Sequence, residues 1–405
     1  MYLKLAWRNL WRNRRRTLIT VSSIMCAVLF SMFIESIERG SHNVAIDNMT
    51  RFHTGYMQIQ DYRFEDTPTL DNTFQYDEAF ADSVRNAHSE IAFVAPRIET
   101  FMLAAGPEKT RGSMVMGIDP DKEDRLNGLK ERLREGGFSD EPMSAVVAEG
   151  LAERLEIGLR DTLVLLGQGR FGMTAAGKFV VSGLIELPLR ELNNQTVYLN
   201  LEDAQWLFSA DQQISNLLIT PESPGATEEV ATAVQNEITR ENLEILTWRE
   251  LIPELVEALA FDRASTRFMM GILYIVIGFG IFGTILTMTL ERLHEFGLLL
   301  SVGMHRLKLS LVLFIETLMM GILGVLSGFG LSYFILLYFK HNPLILGGDA
   351  ADIIAEYGFE PIIPAAIEAD IFMHQGIFVF AITVLISLYP IIKIMGLNIM
   401  NSMRP

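Results

Sequence analysis

The sequence predicts an α-helical membrane protein with four transmembrane helices and a large extracytoplasmic α+β domain inserted between the first two helices. The mean hydropathy is +0.27, although the 405 residues carry a formal net charge of −16. Acidic soluble proteins of this size usually have a negative mean hydropathy, so the apolar residues must be concentrated in particular segments. A long polar stretch, residues 39–267, separates the first apolar segment from the second.

Four segments are long and apolar enough to cross a bilayer, whose core of about 30 Å requires about 20 helical residues. They are residues 17–38, 268–290, 309–339 and 376–395. The first follows a cluster of arginines, as a secretory signal would. Its apolar run is too long for a signal peptide, however, and no small-residue cleavage pattern follows it. We therefore interpret it as an uncleaved transmembrane helix.

The distribution of charge predicts the orientation. Residues 1–16 contain six Lys or Arg and no acid, and residues 291–308 contain three basic and two acidic residues. By contrast, residues 39–267 contain 21 basic and 38 acidic residues. Because short cytoplasmic loops are enriched in Lys and Arg, we expect both termini, including a tail at 396–405, to be cytoplasmic. The acidic domain and a loop at 340–375 are then extracytoplasmic.

The sequence of the inserted domain predicts a mixture of strands and helices. Alternating or continuous apolar runs predict strands at residues 55–60, 144–148, 162–166 and 178–182, and helical spacing predicts helices at 149–155 and 201–208. Residues 167–172 lie between two strands and predict a hairpin loop. A phosphate-binding loop is the less favoured alternative, because no Lys-Ser/Thr pair and no helix follow. Residues 248–267 predict a stalk helix that leads into the second span.

No catalytic or metal-binding pattern emerges from the sequence. The seven histidines lack metal-ligand spacing, and neither a Gly-x-Ser-x-Gly elbow nor a Walker A sequence is present. The single Cys26 excludes an intramolecular disulfide and a multi-cysteine zinc site. The acidic balance argues against binding of nucleic acid. We therefore predict a non-catalytic chain, whose ATP-driven work would need an ATPase in another chain.

The N-terminal segment predicts a cytoplasmic helix that lies in the membrane interface. Leu3, Trp7, Leu10 and Trp11 share one helical face. The anchoring residues would be the two tryptophans and three consecutive arginines, namely Trp7, Trp11, Arg14, Arg15 and Arg16. The alternative is that this basic segment serves only as an orientation signal.

Two further features lie on the cytoplasmic side. Residues 291–304 form a short amphipathic helix that ends at Gly303, or else a simple connecting turn. Glu316 lies about 10 Å along the third transmembrane helix, and a carboxylate there is either functional or the ion-pair partner of Arg14, Arg15 or Arg16. Gly324 and Gly328 have the small-xxx-small spacing that permits close helix packing.

Several of these segments resemble a known family. The segments ERLHEFGLLLSVGM, IETLMMGILGVLSG and YPIIKIMGLNIMNSMRP resemble the permease subunits of MacB, FtsX and LolC/LolE type ABC transporters. The N-terminal LAWRNLWRNRRRTLITVSSI is similar to the start of those permeases. The external runs APRIETFMLAAG and VVAEGLAERLEIGLRDTLVLLGQGRFGMTAAGKFVVSGL are most similar to the lipoprotein-releasing LolC/LolE branch.

The resemblance implies a bacterial inner-membrane complex of two permeases, identical or different, with two cytosolic ATPase subunits that bind ATP and Mg²⁺. This chain would bind neither. Membrane lipids and a periplasmic lipoprotein carrier or adaptor are further implied partners. The helix at 291–304 would be the coupling helix, with Glu291, Arg292 and Glu295 in polar contacts and Phe296 and Leu300 in an apolar ATPase pocket; Gly303 ends it.

Three functions fit this resemblance. The first is release of lipoproteins or a similar amphiphile from the inner membrane, with ATPase movement transmitted to the periplasmic domain (mechanotransmission). The second is export of drugs, peptides or siderophores through a tripartite pump. The third is regulation of a periplasmic cell-wall hydrolase, as in FtsX-like proteins. Adjacent genes would discriminate them, since a lipoprotein carrier, an adaptor or a hydrolase would accompany the first, second or third.

Overall fold

The computed structural model describes residues 2–12, 14–238, 240–348 and 362–396. The chain divides into two compact units. The helical unit comprises Met1–Asn43, Ala258–Ile345 and Ile362–Pro405, and the α+β unit comprises Val44–Glu257 and Leu346–Pro361. Among the described residues, the α-helices are α1 (Tyr2–Arg12), α2 (Arg14–Met49), α3 (Tyr62–Asp66), α4 (Glu78–Asn86), α5 (Pro120–Asn127), α6 (Glu149–Leu155), α7 (Arg190–Asn193), α8 (Leu201–Phe208), α9 (Thr227–Glu237), α10 (Trp248–Leu251), α11 (Pro253–Glu291), α12 (Leu293–Ser301), α13 (Arg306–His341) and α14 (Ala369–Met395).

Four helices of the described chain, α2, α11, α13 and α14, are long and apolar enough to cross a membrane, by length and composition. Each contains one of the predicted transmembrane segments and extends beyond it. The predicted stalk helix differs, because α10 ends at Leu251 and α11 begins at Pro253. Pro253 has no backbone N–H to donate and disfavours helical backbone at Ile252, whose φ and ψ are −132° and 64°. The stalk is therefore two helical pieces.

Close packing of α13 against α2 depends on two glycines. A Cβ atom on Gly324 would lie 2.6 Å from Ile24 Cβ, and one on Gly328 would lie 2.7 Å from Val28 Cβ. Side chains cannot approach so closely, so only glycine allows this helix separation. Cys26 lies between these contacts in the sequence but on the exposed side of α2.

The α+β unit is built around one large mixed sheet. Among the described residues, the strands of the chain are β1 (Met57–Asp61), β2 (Phe74–Gln75), β3 (Ile91–Ala105), β4 (Thr110–Ile118), β5 (Leu133–Gly136), β6 (Ser144–Ala148), β7 (Thr162–Gln168), β8 (Thr174–Ile185), β9 (Thr196–Asn200), β10 (Gln213–Ile214), β11 (Asn216–Pro221), β12 (Leu243–Thr247), β13 (Leu344–Ile345) and β14 (Ile362–Ile363). The large sheet has the order β12-β1-β11-β3-β4-β9-β6-β8-β5, and β7 pairs with both β3 and β8.

The predicted elements of this unit are present. Strands β1, β6, β7 and β8 correspond to the four predicted strands, and α6 and α8 match the predicted helices residue for residue. The predicted hairpin is confirmed, because β7 and β8 pair antiparallel from Thr162↔Val180 to Gln168↔Thr174. Mixed parallel and antiparallel pairing, with helices over the sheet, places the unit in the predicted α+β class.

A buried ion pair fixes α5 to the sheet of the α+β unit. Arg97 of β3 is fully buried, and its guanidinium donates hydrogen bonds to the carboxylate of Glu123 in α5 and to the carbonyl of His53. Burial alone would lower the pKa of Arg97, but the neighbouring carboxylates of Glu123 and Glu99 raise it above its usual value. Arg97 therefore stays charged and joins β3 to two other segments.

Asp61 provides a pH-dependent contribution to the stability of the α+β unit. Its buried carboxylate accepts hydrogen bonds from the side chain of Arg63 and from the Asn242 amide. These donors lower the pKa of Asp61 to about 2, with the Arg63 hydrogen bond the largest cause. Because the folded pKa lies below the usual value, the stabilisation is present above about pH 4 and lost as the pH falls towards 2.

We expect Asp61→Asn to lower the free energy of unfolding at pH 7 by about 1–2 kcal/mol, allowing for the solvent exposure of Arg63. The difference between variant and wild type should disappear near pH 2. Hydrogen-exchange protection and thermal melting of the full chain at pH 7, 4 and 2 measure it. Asp82→Asn, at an exposed pair with Arg85, is the control and should change little at any pH. An Asp61→Asn difference that persists at pH 2 would contradict this assignment.

Candidate functional site

The candidate site is the short helix α12, which lies between two breaks in the helical path. α11 ends at Glu291, and Arg292 has non-helical φ and ψ of −100° and 1° before α12 begins at Leu293. At the other end Gly303 adopts φ of 99°, a conformation that favours glycine. Its N–H donates to the Leu300 carbonyl at 3.1 Å, which terminates the helix. α12 therefore forms a separate rigid segment between α11 and α13.

One face of α12 is buried within the helical unit. Phe296 and Leu300 pack with Leu309 and Leu313 of α13 and with Ile394 of α14. Phe296 is 1% exposed. The expectation that Phe296 and Leu300 fill a pocket of a partner ATPase is therefore wrong, because both side chains are used in the core of this chain.

The opposite face of α12 presents apolar side chains to the surroundings. They are Leu298 and Leu299 of α12 and Val302, the residue that caps its C-terminus. We call these three residues the apolar ridge, and Val302 is 87% exposed. Their i, i+1, i+4 spacing places them on one side of the helix. An exposed apolar group of this kind suits docking of another protein.

A buried ion pair joins the start of α12 to α13. Arg292 Nη1 lies 2.9 Å and 3.1 Å from the two carboxylate oxygens of Glu316, and the side chains of Arg292 and Glu316 are 5% and 2% exposed. The predicted pairing of Glu316 with Arg14, Arg15 or Arg16 is wrong. Arg292, at the junction of α11 and α12, is the cation that lies beside Glu316 instead.

The pair explains how two charges are accommodated at this depth. A lone buried charge is costly, and a buried pair is tolerated only when geometry and additional hydrogen bonds compensate for desolvation. Glu316 thus joins α13 to the beginning of α12.

Two more exposed ion pairs connect the N-terminal helices to the candidate site. Arg16 Nη2 lies 2.6 Å from a Glu291 carboxylate oxygen, and Arg12 Nη2 lies 3.2 Å from one of Glu295. Exposed pairs of this kind contribute about 0–1 kcal/mol each. Glu291, Arg292 and Glu295, which were expected to contact an ATPase, therefore contact their own chain, although Glu291 and Glu295 remain half exposed.

Helix α1 buries one edge of its apolar face and exposes the rest. Leu10 is buried against Met288 of α11 and Met320 of α13, whereas Trp7 and Trp11 are exposed and make an edge-to-face contact with ring centroids 5.8 Å apart. The four predicted residues, Leu3, Trp7, Leu10 and Trp11, do lie on neighbouring positions of the helix. The prediction that Leu10 lies in the membrane interface is wrong, because its side chain is buried within the chain. Arg14 Nε donates to the Trp11 carbonyl, and Arg15 is exposed.

Sequence reasoning missed the apolar ridge for a clear reason. Residues 296–302 are apolar almost all round, so helical spacing marks two possible buried sides and selects neither. The available signal was Arg292 with Glu316, since a charge deep in an apolar segment requires a partner nearby. That pairing would have predicted which side of α12 faces α13 and which side is exposed.

Comparisons with known proteins are consistent with this architecture. Residues 267–399 match the family model described as FtsX-like permease C-terminal. The lipoprotein-releasing system transmembrane protein LolC of Neisseria meningitidis is 21% identical over 249 residues, covering 59% of each chain. LolC of Xylella fastidiosa strain 9a5c is 22% identical over 246 residues, again covering 59% of each. The match thus spans about three fifths of the length of these relatives.

Two solved structures were also similar. The extracellular domain of the noncanonic ABC-type transporter YknZ from Gram-positive bacteria covers 47% of this chain and 99% of its own, with TM-score 0.34 and 14% identity. The periplasmic region of MacB from Actinobacillus actinomycetemcomitans covers 52% and 96%, with TM-score 0.36 and 14% identity.

Residues 267–399 thus contain an FtsX-like permease C-terminal region, and four helices of the described chain are long and apolar enough to cross a membrane. In sequence the chain is similar to LolC proteins and resembles the permeases of the MacB/FtsX/LolC superfamily.

Proposed function

We propose that this chain is the permease subunit of an ABC transporter and that α12 is the helix through which a separate cytosolic ATPase moves it. The observation that carries the proposal is an exposed apolar ridge on a helix whose other face is buried and ion-paired. The basic residues of 1–16 and 291–308 support a cytoplasmic position for α12. The FtsX-like match includes the whole of α12.

The contacts of α12 suit transmission of movement. The Arg292–Glu316 pair and the packing of Phe296 and Leu300 attach α12 to α13 at two points. A displacement of α12 by an ATPase would therefore move α13 with it. It would also move α11, because the end of α11 at Glu291 is joined to α12 through Arg292 alone. Because α11 continues as one helix from Glu291 back to Pro253, the movement would reach its opposite end.

We further propose that the cargo is a lipoprotein or a similar amphiphile, released from the inner membrane of a bacterium. The LolC relatives support this assignment. The acidic α+β unit would then be periplasmic, the complex would contain two permeases and two ATPases, and a periplasmic carrier would receive the cargo. The ATPase would bind ATP and Mg²⁺, and this chain neither. Co-reconstitution with the ATPase and carrier, followed by assay of lipoprotein release from proteoliposomes, tests the cargo.

The coupling role is tested at Val302. We expect Val302→Asp to reduce permease-stimulated ATPase activity and ATPase co-purification at least tenfold, because a carboxylate would be buried unpaired in the interface. Thermal melting of the permease alone should not change, since Val302 is exposed.

Val302→Ile, which keeps the apolar surface, is the matched control and should retain coupling. Phe296→Asp should instead lower the melting temperature, because Phe296 lies in the core. If Val302→Asp stimulates the ATPase normally, in a preparation whose wild type is coupled, α12 is not the element that docks on the ATPase.

A further inference from the structure

We propose that the helical unit binds a divalent metal ion, Zn²⁺ or an ion of similar preference, through Glu38, His42 and Asp262. The three side chains offer ligand atoms that all lie within 4.8 Å of one another. Glu38 and His42 belong to α2, and Asp262 belongs to α11. This inference is independent of the proposed transport function.

The spacing of the residues suits metal coordination. Glu38 and His42 are four residues apart on one helix and therefore project from the same face, the spacing used by paired ligands in helical zinc sites. His42 Nε2 lies 2.7 Å from Asp262 Oδ2. Two ligand atoms on a tetrahedral zinc ion at about 2.0–2.2 Å lie about 3.3–3.6 Å apart, so the hydrogen bond would open by less than about 1 Å when the ion binds. Small side-chain rotations would bring the Glu38 carboxylate to the same point.

The chemistry of the donor set indicates the kind of ion. One imidazole and two carboxylates suit Zn²⁺ and Mn²⁺, whereas magnesium and calcium prefer oxygen ligands alone. Three protein ligands leave a coordination position open for water. Glu38 and His42 line a cavity of about 570 Å³, which supplies both that space and an entry path.

The surrounding charges leave the ligands available. Arg39, the cation next to Glu38 in the sequence, is ion-paired with Glu35, Glu368 and Asp370. Among the charges around Glu38, His42 has the largest influence, followed by the carboxylates of Asp262 and Glu35 and then by Arg263. A bound divalent ion would replace the attraction of Arg263 and neutralise Glu38 and Asp262. It would also tie α2 to α11 by coordinate bonds in place of one hydrogen bond.

Metal content of the full chain tests the proposal. The protein is purified in detergent, its affinity tag is removed, and it is stripped with EDTA and dialysed against micromolar Zn²⁺. Mass spectrometry of the metal should find about one Zn²⁺ per chain. Zn²⁺ should also raise the melting temperature, because an ion that binds only the folded state stabilises it.

We expect His42→Ala and Asp262→Asn to weaken Zn²⁺ binding at least tenfold and to abolish the zinc-dependent rise in melting temperature. Glu38→Gln should also weaken Zn²⁺ binding and abolish the rise in melting temperature, but it preserves the His42–Asp262 contact. It therefore tests the proposal even if the other two variants fold poorly. His374→Ala is the matched control, because His374 lines the same cavity outside the three ligands. Cobalt substitution should give d–d absorption bands that Glu38→Gln alters.

The proposal is overturned if the wild-type protein takes up no more Zn²⁺ than Glu38→Gln does. The His42–Asp262 contact would then be only a hydrogen bond between two helices. Loss of Zn²⁺ in His374→Ala with retention in Glu38→Gln would also overturn it, since the ion would then lie elsewhere in the cavity.

Discussion

Arg292→Ala is expected to destabilise the helical unit by about 3–5 kcal/mol, because it leaves the Glu316 carboxylate buried without its cation. The expected result is a lower melting temperature in detergent and a lower yield of folded protein. ATPase stimulation should fall as well, since α12 would lose its attachment to α13. Thermal melting of the permease alone, followed by size-exclusion chromatography, measures the effect on stability.

Two further variants separate the effect of the buried Arg292–Glu316 pair on stability from the general effect of removing an arginine. Arg12→Ala removes an exposed pair with Glu295 and should cost about 0–1 kcal/mol. The double variant Arg292→Met with Glu316→Leu removes both charges and should recover most of the lost stability. If Arg292→Ala melts like Arg12→Ala, the pair does not fix α12.

Gly328→Leu is expected to destabilise the helical unit by about 2–3 kcal/mol or more, through overpacking against α2. A Cβ atom at Gly328 would already lie 2.7 Å from Val28 Cβ and 3.2 Å from the Met25 carbonyl. α13 would have to move away from α2, and the rest of the leucine side chain would increase the displacement. Melting temperature measures the loss, and cross-linking between cysteines introduced into α2 and α13 measures the separation.

The same helix offers a control two residues away. A Cβ atom at Gly330 meets no atom within 4 Å, so Gly330→Leu changes the same residue type without a clash. We expect it to alter stability by about 0.5 kcal/mol or less. Equal losses from the two substitutions would show that helix propensity or lipid contact, and not the approach of α2, decides the effect.

The elements with strong periodicity were predictable from the sequence. Four apolar segments lie in α2, α11, α13 and α14, and the boundaries of α6 match the predicted 149–155 because apolar spacing and a preceding strand mark them. Length and hydropathy decide such elements locally. The break at Ile252 was also present in the sequence as Pro253, and the continuous apolar spacing around it obscured that signal.

The candidate site was less predictable, because tertiary contacts select among local alternatives there. Phe296 lies in α12 and Val302 directly follows it; both are apolar, and only the position of α13 decides which is buried. Leu10 of α1 is likewise buried against α11 and α13, and the helical spacing of α1 alone could not show this. Glu38 and His42 are four residues apart on α2, but Asp262 joins them from α11, far away in the sequence, so spacing within one segment could not indicate the third residue.

Cys26 gives the chain a property that is useful for studying its assembly. It is the single cysteine of the sequence, and its side chain is exposed on α2. One nitroxide spin label can therefore be attached per chain without removing any native thiol. A magnetic dipolar coupling between labels can then arise only from two copies of this chain in one particle. A pair of identical subunits and a mixed pair thus become distinguishable by electron spin resonance.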